Sequence, residues 1–300
     1  MFKKSSAAMA AATLVLGLVA CTERRTNLAD IADATLFASD GVNLTVFNSR
    51  SRLRSSSITA ISGLAAGTTV IGLDVNPNGG ALVALGSNGQ TYNLNSGTGV
   101  ATAVGAADTT TSFANKVVDI DFNPRAQNVF RVVTSTLDNH RRRATDGTRA
   151  GTDTAFSYIT GDVNAGKTLT TTAAAYTDSK LNGGTPPKST IVYVIDVKND
   201  VLACLGTAQD ATTTPPTPSP LPSCNRNPNA GQLNTIGKLG VDLEGNTPFD
   251  IDSAGNGFVA ARFQDDWHLF SVNLSTGALA DAGLIPPGVG NLVTLAVQQR

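Results

Sequence analysis

Thr91-Tyr92-Asn93-Leu94-Asn95-Ser96-Gly97-Thr98-Gly99-Val100-Ala101-Thr102-Ala103-Val104-Gly105 aligns without a gap on Leu269-Phe270-Ser271-Val272-Asn273-Leu274-Ser275-Thr276-Gly277-Ala278-Leu279-Ala280-Asp281-Ala282-Gly283. Both stretches read as a short strand, a turn ending in Thr-Gly, and a second strand. A matched stretch precedes each: Gly72-Leu73-Asp74-Val75-Asn76-Pro77-Asn78-Gly79 before the first, Phe249-Asp250-Ile251-Asp252-Ser253-Ala254-Gly255 before the second. Asp119-Ile120-Asp121-Phe122-Asn123-Pro124 is a third relative. The repeating unit therefore holds four short strands, placed in its clearest copy near 70–75, 81–86, 90–95 and 100–105. Four strands per unit at this period is the pattern of a propeller blade.

Further units fall near 117–160, 172–238 and 247–284. One unit is split between the ends of the chain. Leu292 to Val297 reads as an innermost strand with no blade after it, and Thr35–Ser39, Leu44–Asn48 and Ile58–Ile61 as three strands lacking an innermost partner. Joining them closes the ring and removes an exposed sheet edge. The expected fold is all-β, a propeller of five four-stranded blades closed by pairing of N- and C-terminal strands, with six blades the competing count. Its domain spans 34–300.

Ahead of the domain, Lys3 and Lys4 precede an uncharged run, Ala7 to Ala20, too short for the about 20 apolar residues of a membrane span. It has the layout of a secretory signal, residues 1–20. Leu18-Val19-Ala20-Cys21 resembles the lipobox of bacterial lipoproteins, which implies diacylglycerol on Cys21 and cleavage before it, with 21–33 as a short tether. Two or three acyl chains anchor a protein durably. Thr22 in place of Asp favours the outer membrane if the host is Gram-negative. Losing the first twenty residues removes two lysines and no acid, taking the formal charge from −1 to −3. Such a chain lacks the basic bias of a nucleic-acid binder.

Of three cysteines, Cys204 and Cys224 remain, and an oxidising compartment predicts a disulfide between them. It would clasp the base of a Pro/Thr-rich insertion, 207–223, whose composition cannot bury a core. With only His140 and His268 as histidines, both far off in sequence, the pair falls short of a zinc set.

Several motifs resemble, in order, those of a bacterial family, domain of unknown function 4394. They are Asp121-Phe122-Asn123-Pro124, Arg131-Val132-Val133, Asn139, Gly161-Asp162-Val163-Asn164-Ala165-Gly166, Ala175-Tyr176-Thr177, Gly240-Val241-Asp242 and Phe249-Asp250-Ile251. The resemblance covers most of the chain after residue 30. It implies an exported, propeller-like protein and brings no reaction, substrate or catalytic residue. His140-Arg141-Arg142-Arg143 departs from the alternating strand of the family pattern.

Two motifs point elsewhere. Gly161 to Thr168 satisfies the P-loop expression, but phosphate is held at the start of a following helix, and Leu169-Thr170-Thr171-Thr172 disfavours one. No nucleotide is expected. Asp74-x-Asn76-x-Asn78-Gly79 resembles half a calcium loop whose twelfth position is Leu85 instead of Glu. Asn-Pro-Asn-Gly is also ordinary turn chemistry. No cofactor is expected, with a structural calcium ion as the alternative kept open.

Asp74, Asp121 and Asp250 occupy corresponding places in three blades and are expected near the central channel. Converging carboxylates could support a carbohydrate-active hydrolase, yet a residue recurring in every blade usually serves the blade. The balance is against an enzyme. Arg141, Arg142 and Arg143 read as a solvated face or an anion site, and Trp267 as packing or a sugar-stacking ring. The functional expectation is a lipid-anchored binding or scaffold module at the cell envelope, with an envelope protein or glycan as partner.

Overall fold

The structure, a computed structural model, describes residues 28–51, 56–177, 186–187, 190–207, 224 and 227–299. The signal segment and Cys21 lie outside the described residues, as does the Pro/Thr-rich insertion apart from Thr207 at its start. Among the described residues no helix is long and apolar enough to cross a membrane.

Five sheets, antiparallel except for one edge pairing in the fourth, surround an axis. The first blade joins the chain's two ends: β1 (Thr35–Ser39), β2 (Asn43–Asn48) and β3 (Ser56–Ala60) line up outside β21 (Thr294–Val297). Leu36 faces Val297 and Ser39 faces Thr294 in that closing pair. The second blade is β4 (Val70–Val75), β5 (Leu82–Gly86), β6 (Thr91–Leu94) and β7 (Ala101–Val104). The third is β8 (Val118–Phe122), β9 (Val129–Thr134), β10 (Asn139–Arg143) and β11 (Arg149–Thr152). The fourth runs β13 (Thr171–Tyr176), β14 (Ile191–Asp196), β15 (Val201–Thr207) and β16 (Gln232–Lys238). The fifth is β17 (Phe249–Ile251), β18 (Gly257–Phe263), β19 (Asp266–Val272) and β20 (Leu279–Leu284). Strands β21, β4, β8, β13 and β17 neighbour one another in turn around the axis. The ring has five blades, closed as the split unit predicts.

Strand side chains alternate between the two faces of a blade, and here both faces are covered by neighbours. In β14, Ile191, Tyr193 and Ile195 pack toward the fifth blade, beside Phe249, Ile251 and Phe270. Val192 and Val194 pack toward the third, beside Val133 and Tyr176. All six residues of β14 are buried. This is why the strand reads as a continuous apolar run instead of an alternating one. Five apolar clusters, one per blade interface, make up the core among the described residues.

The repeated Thr-Gly turn has a packing reason. Gly99 and Gly277 adopt positive φ (71° and 82°). A Cβ on Gly99 would stand 2.5 Å from the Ala60 carbonyl oxygen, and one on Gly277 2.6 Å from that of Gly237. Each turn docks on the outer strand of the preceding blade, where only glycine fits.

Two local outcomes differ from the sequence reading. The third unit, placed through residue 160, ends at Thr152, because the two-residue strand β12 (Ser157–Tyr158) crosses over and pairs in parallel with β16. Tyr158 is drawn there by the core between blades three and four, and its hydroxyl donates to Asp196 at 2.7 Å. The segment His140 to Arg143 forms a regular strand against β9 despite its composition. As the β-branched run predicts, the P-loop-like stretch leads into β13 and not a helix, and Lys167 Nζ donates to Asn164 Oδ1 at 2.8 Å. Cys204 and Cys224 form the expected disulfide, with Cα atoms 5.5 Å apart.

Candidate functional site

Inner strands of adjacent blades stand too far apart for a backbone ladder, so side chains stitch them. Thr294 Oγ1 accepts the Leu73 N–H at 2.8 Å. Asp74 Oδ2 accepts the Phe122 N–H at 2.5 Å. Asp119 Oδ2 accepts from Ala174 at 3.1 Å, and Asp121 from the Tyr176 amide. The hydroxyls of Thr172 and Thr247 bond to each other between blades four and five. Asp250 Oδ2 accepts the Val297 N–H at 2.6 Å. The links run in one rotational sense and complete the ring.

Within that ring Asp74, Asp121 and Asp250 converge. One oxygen from each lies within 4.8 Å of the other two, and the residues are 2–3% exposed. Asp74 and Asp250 also cap their own strands, accepting the next residue's N–H at 2.6 Å each. Burial pushes all three carboxyls up. Asp250 reaches about 7, against the pull of the Val297 and Ile251 amides. Asp74 is raised well above the usual carboxylate range by burial and the charge of Asp250. Asp121 is raised by burial and by Asp74, Asp250 and Asp119. Glycoside hydrolysis requires two carboxyls that flank a substrate's bond. These are sealed beneath the inner strands and engaged by amides.

The Asp-x-Asn-x-Asn stretch does not gather into one cradle. Asp74 turns to the axis, while Asn76 Oδ1 accepts the Asn78 N–H at 2.9 Å and Asn76 Nδ2 donates to Asn128 at 2.9 Å. Asp252 likewise caps its own turn through Ala254 and Asn256. The arginine run divides three ways. Arg141 clasps Asp153 (2.8 Å), fully buried Arg142 donates to the carbonyls of Gly89 and Gly147, and Arg143 is exposed.

The open feature lies elsewhere, on the face where the inner strands begin. A funnel of about 320 Å³ opens over the axis. Its apolar wall is Ile71, Val118, Leu292 and Val293, and its polar groups are Lys116, Glu244, Asn246, Arg262, Trp267 and Asn291. Trp267 is half-buried, packed against the core between blades five and one. Its indole Nε1 and the Asn246 Oδ1 have no hydrogen-bond partner, although Asn246 Nδ2 donates to the Leu292 carbonyl at 2.7 Å. Two further depressions adjoin the funnel, one sharing Ile71 and the other Trp267. Of this site only Trp267 was singled out in the sequence. The other polar groups stand in loops or at strand ends, where no period marks them.

The family model for a domain of unknown function (DUF4394) matches residues 43–296. No curated protein matches the sequence. Among solved structures, a chain of a nidogen/laminin complex is similar at 11% identity, with 89% of this chain and 98% of that one covered and a TM-score of 0.46. A calcium-binding protein, regucalcin, from Agrobacterium tumefaciens is similar at 13% identity, with 87% and 78% covered and a TM-score of 0.42. TolB from Acinetobacter baumannii is similar at 9% identity, with 92% and 69% covered and a TM-score of 0.44. At these identities and scores the likenesses bear on neither ligand nor reaction.

Proposed function

This chain belongs to the DUF4394 family, whose description assigns no reaction, and from that premise we propose that the protein is a lipid-anchored envelope module that binds a saccharide in its axial funnel. The observation that carries the reading is a cavity of about 320 Å³ in which Trp267 stands among the polar groups of Lys116, Glu244, Asn246, Arg262 and Asn291. That volume sits at the small end of ligand clefts, about 300–1,000 Å³. An aromatic body with a polar tip suits a ring that is apolar on its face and hydroxylated at its rim. Lys116, Arg262 and Asn291 can donate to hydroxyl oxygens, and Glu244 and Asn246 can accept from hydroxyl hydrogens.

Anchorage through Cys21 at the outer membrane complements this reading. The pairing of Leu36 with Val297 puts the start of β1 at the end of the axis away from the funnel. The structural role of the inner carboxylates supports a binding module over a hydrolase.

The test is a thermal-shift panel of envelope glycans on the full chain in detergent, repeated with Trp267→Ala. A bound saccharide at a hundredfold excess over its Kd stabilises the fold by about 2.7 kcal/mol. The reading requires at least one glycan to shift the native protein and not the variant. Silence across the panel, with an envelope protein captured by cross-linking instead, overturns it.

A further inference from the structure

The carboxylate cluster at the axis goes beyond the funnel and stands independently of what the funnel binds. We infer that Asp74, Asp121 and Asp250 are the protein ligands of a calcium-type divalent cation, held at the axis and joining three blades.

Three observations carry this. The first is geometric. Three oxygens mutually within 4.8 Å can all lie about 2.8 Å or less from a common point, close to the 2.3–2.6 Å of calcium–oxygen contacts. The strands need to move by only a few tenths of an ångström. The second is an orphaned atom. Oδ1 of Asp121, in a side chain 3% exposed, meets no N–H or O–H donor. What stands within hydrogen-bonding reach of Asp121 is the Asp250 carboxyl, and the two can bond only when one of them carries a proton. The third is the missing counter-charge. The groups that act on these carboxyls are one another, the further carboxylates Asp119 and Asp252, and backbone amides, with no cation among them. The nearby buried guanidinium of Arg131 is committed to Tyr176, Asn139 and Asp153. Buried carboxylates without a cation are expensive, and a divalent ion supplies the charge at the place where the oxygens meet.

The donor set is oxygen alone, which selects the hard ions over zinc or copper. The amides bound to Asp74 and Asp250 occupy one lone pair on each oxygen and leave the other for the ion. They also hold the carboxylates in place before the ion arrives. This site is distinct from the Asp-x-Asn-x-Asn turn, of which it uses only Asp74.

Two protons could neutralise the cluster instead, and the experiment separates them from an ion. The full chain, purified in detergent, is analysed for metal content by mass spectrometry. It is then unfolded in EDTA and refolded with and without calcium chloride at constant pH. The expected result is stoichiometric calcium in the purified protein. Added calcium at about a hundredfold excess over its Kd should raise Tm by about 5–10 °C, and Asp121→Asn should lose that rise. Asp252→Asn, in an exposed turn, should keep it. Absence of bound metal together with equal Tm in EDTA and calcium overturns the inference on the native protein alone, whether or not the variant folds. An undiminished rise in a folded Asp121→Asn overturns it too, since the ion then sits elsewhere.

Discussion

The hydroxyl of Thr294 accepts the backbone N–H of Leu73 at 2.8 Å, across 221 residues of sequence. Thr294 begins the strand that the C-terminus lends to the first blade, and Leu73 lies in the inner strand of the second. The bond therefore fastens the closing strand at the seam of the ring. Thr294→Val keeps the shape of the side chain and leaves a buried N–H unpaired. We predict a loss of about 1–3 kcal/mol in urea unfolding. A midpoint unchanged from the native protein would show that the seam does not depend on this link.

A second prediction concerns the ion pair inside the third blade. Arg131 and Asp153 are each 1% exposed, with Nη1 and Oδ2 2.9 Å apart. Arg141 joins the same carboxylate at 2.8 Å. Removing one partner of a buried pair strands the other charge. Asp153→Ala should cost about 3–5 kcal/mol, whereas Arg143→Ala, on the exposed end of the same strand, should stay within about 0.5 kcal/mol. Equal effects of the two substitutions on chemical denaturation would reject this account.

These two cases mark what could be read from the chain and what could not. The ring and its closure were legible because the Thr-Gly turn recurs wherever one blade docks on the previous one, as at Gly99 and Gly277. The inner aspartates were legible because each follows an apolar residue at the same point of its strand. Their convergence was legible too, but not their burial, since a carboxylate's exposure depends on what the neighbouring blade lays over it. The burial of Arg142 was hidden for the same reason. Three consecutive arginines look alike in sequence, and only strand alternation against two covered faces sorts them. The funnel was hidden because Lys116, in the loop before the third blade, Glu244, in the loop before the fifth, and Arg262, within the fifth, are far apart in sequence and meet only around one cavity.

The disulfide closes the base of the insertion between Cys204 and Cys224, 20 residues apart. Cross-linking a loop of that length restricts the unfolded chain and contributes about 3 kcal/mol. Cys204 is fully buried in β15, at the interface of blades four and five. Cys204→Ala with Cys224→Ala should lower Tm while leaving the circular dichroism spectrum of the folded protein intact. A Tm equal to that of the oxidised protein would mean that the clasp adds nothing beyond packing.

The anchor makes a prediction of its own. Cys21→Ala removes the thiol that a diacylglycerol would occupy and should move the protein from the membrane fraction to the soluble fraction. A single remaining apolar segment of signal length is too short to span stably. An unchanged membrane distribution in fractionated cells would remove lipidation from the reading.

His140 sets an acid limit on stability. Its ring is 1% exposed and Nε2 has no partner. Burial, with the neighbouring charges of Arg149 and Arg142, holds its pKa down to about 3, only partly offset by Asp108 and Asp138. The unfolded chain takes up a proton near 6.5, while the folded protein resists until about 3. The unfolded state thus binds more protons across that window, so the contribution is present above about pH 6.5 and is lost as pH falls toward 3. His140→Phe cannot take up that proton in either state and packs beside Phe113, whose ring centroid lies 6.4 Å from that of the imidazole. Other acids titrate alike in both proteins, so the difference between them isolates the histidine. From pH 7 down to pH 4 the variant should gain on the native protein by on the order of a few kcal/mol. A difference that stays constant with pH would mean that the ring is protonated inside the fold and that Arg142 and Arg149 do not oppose it.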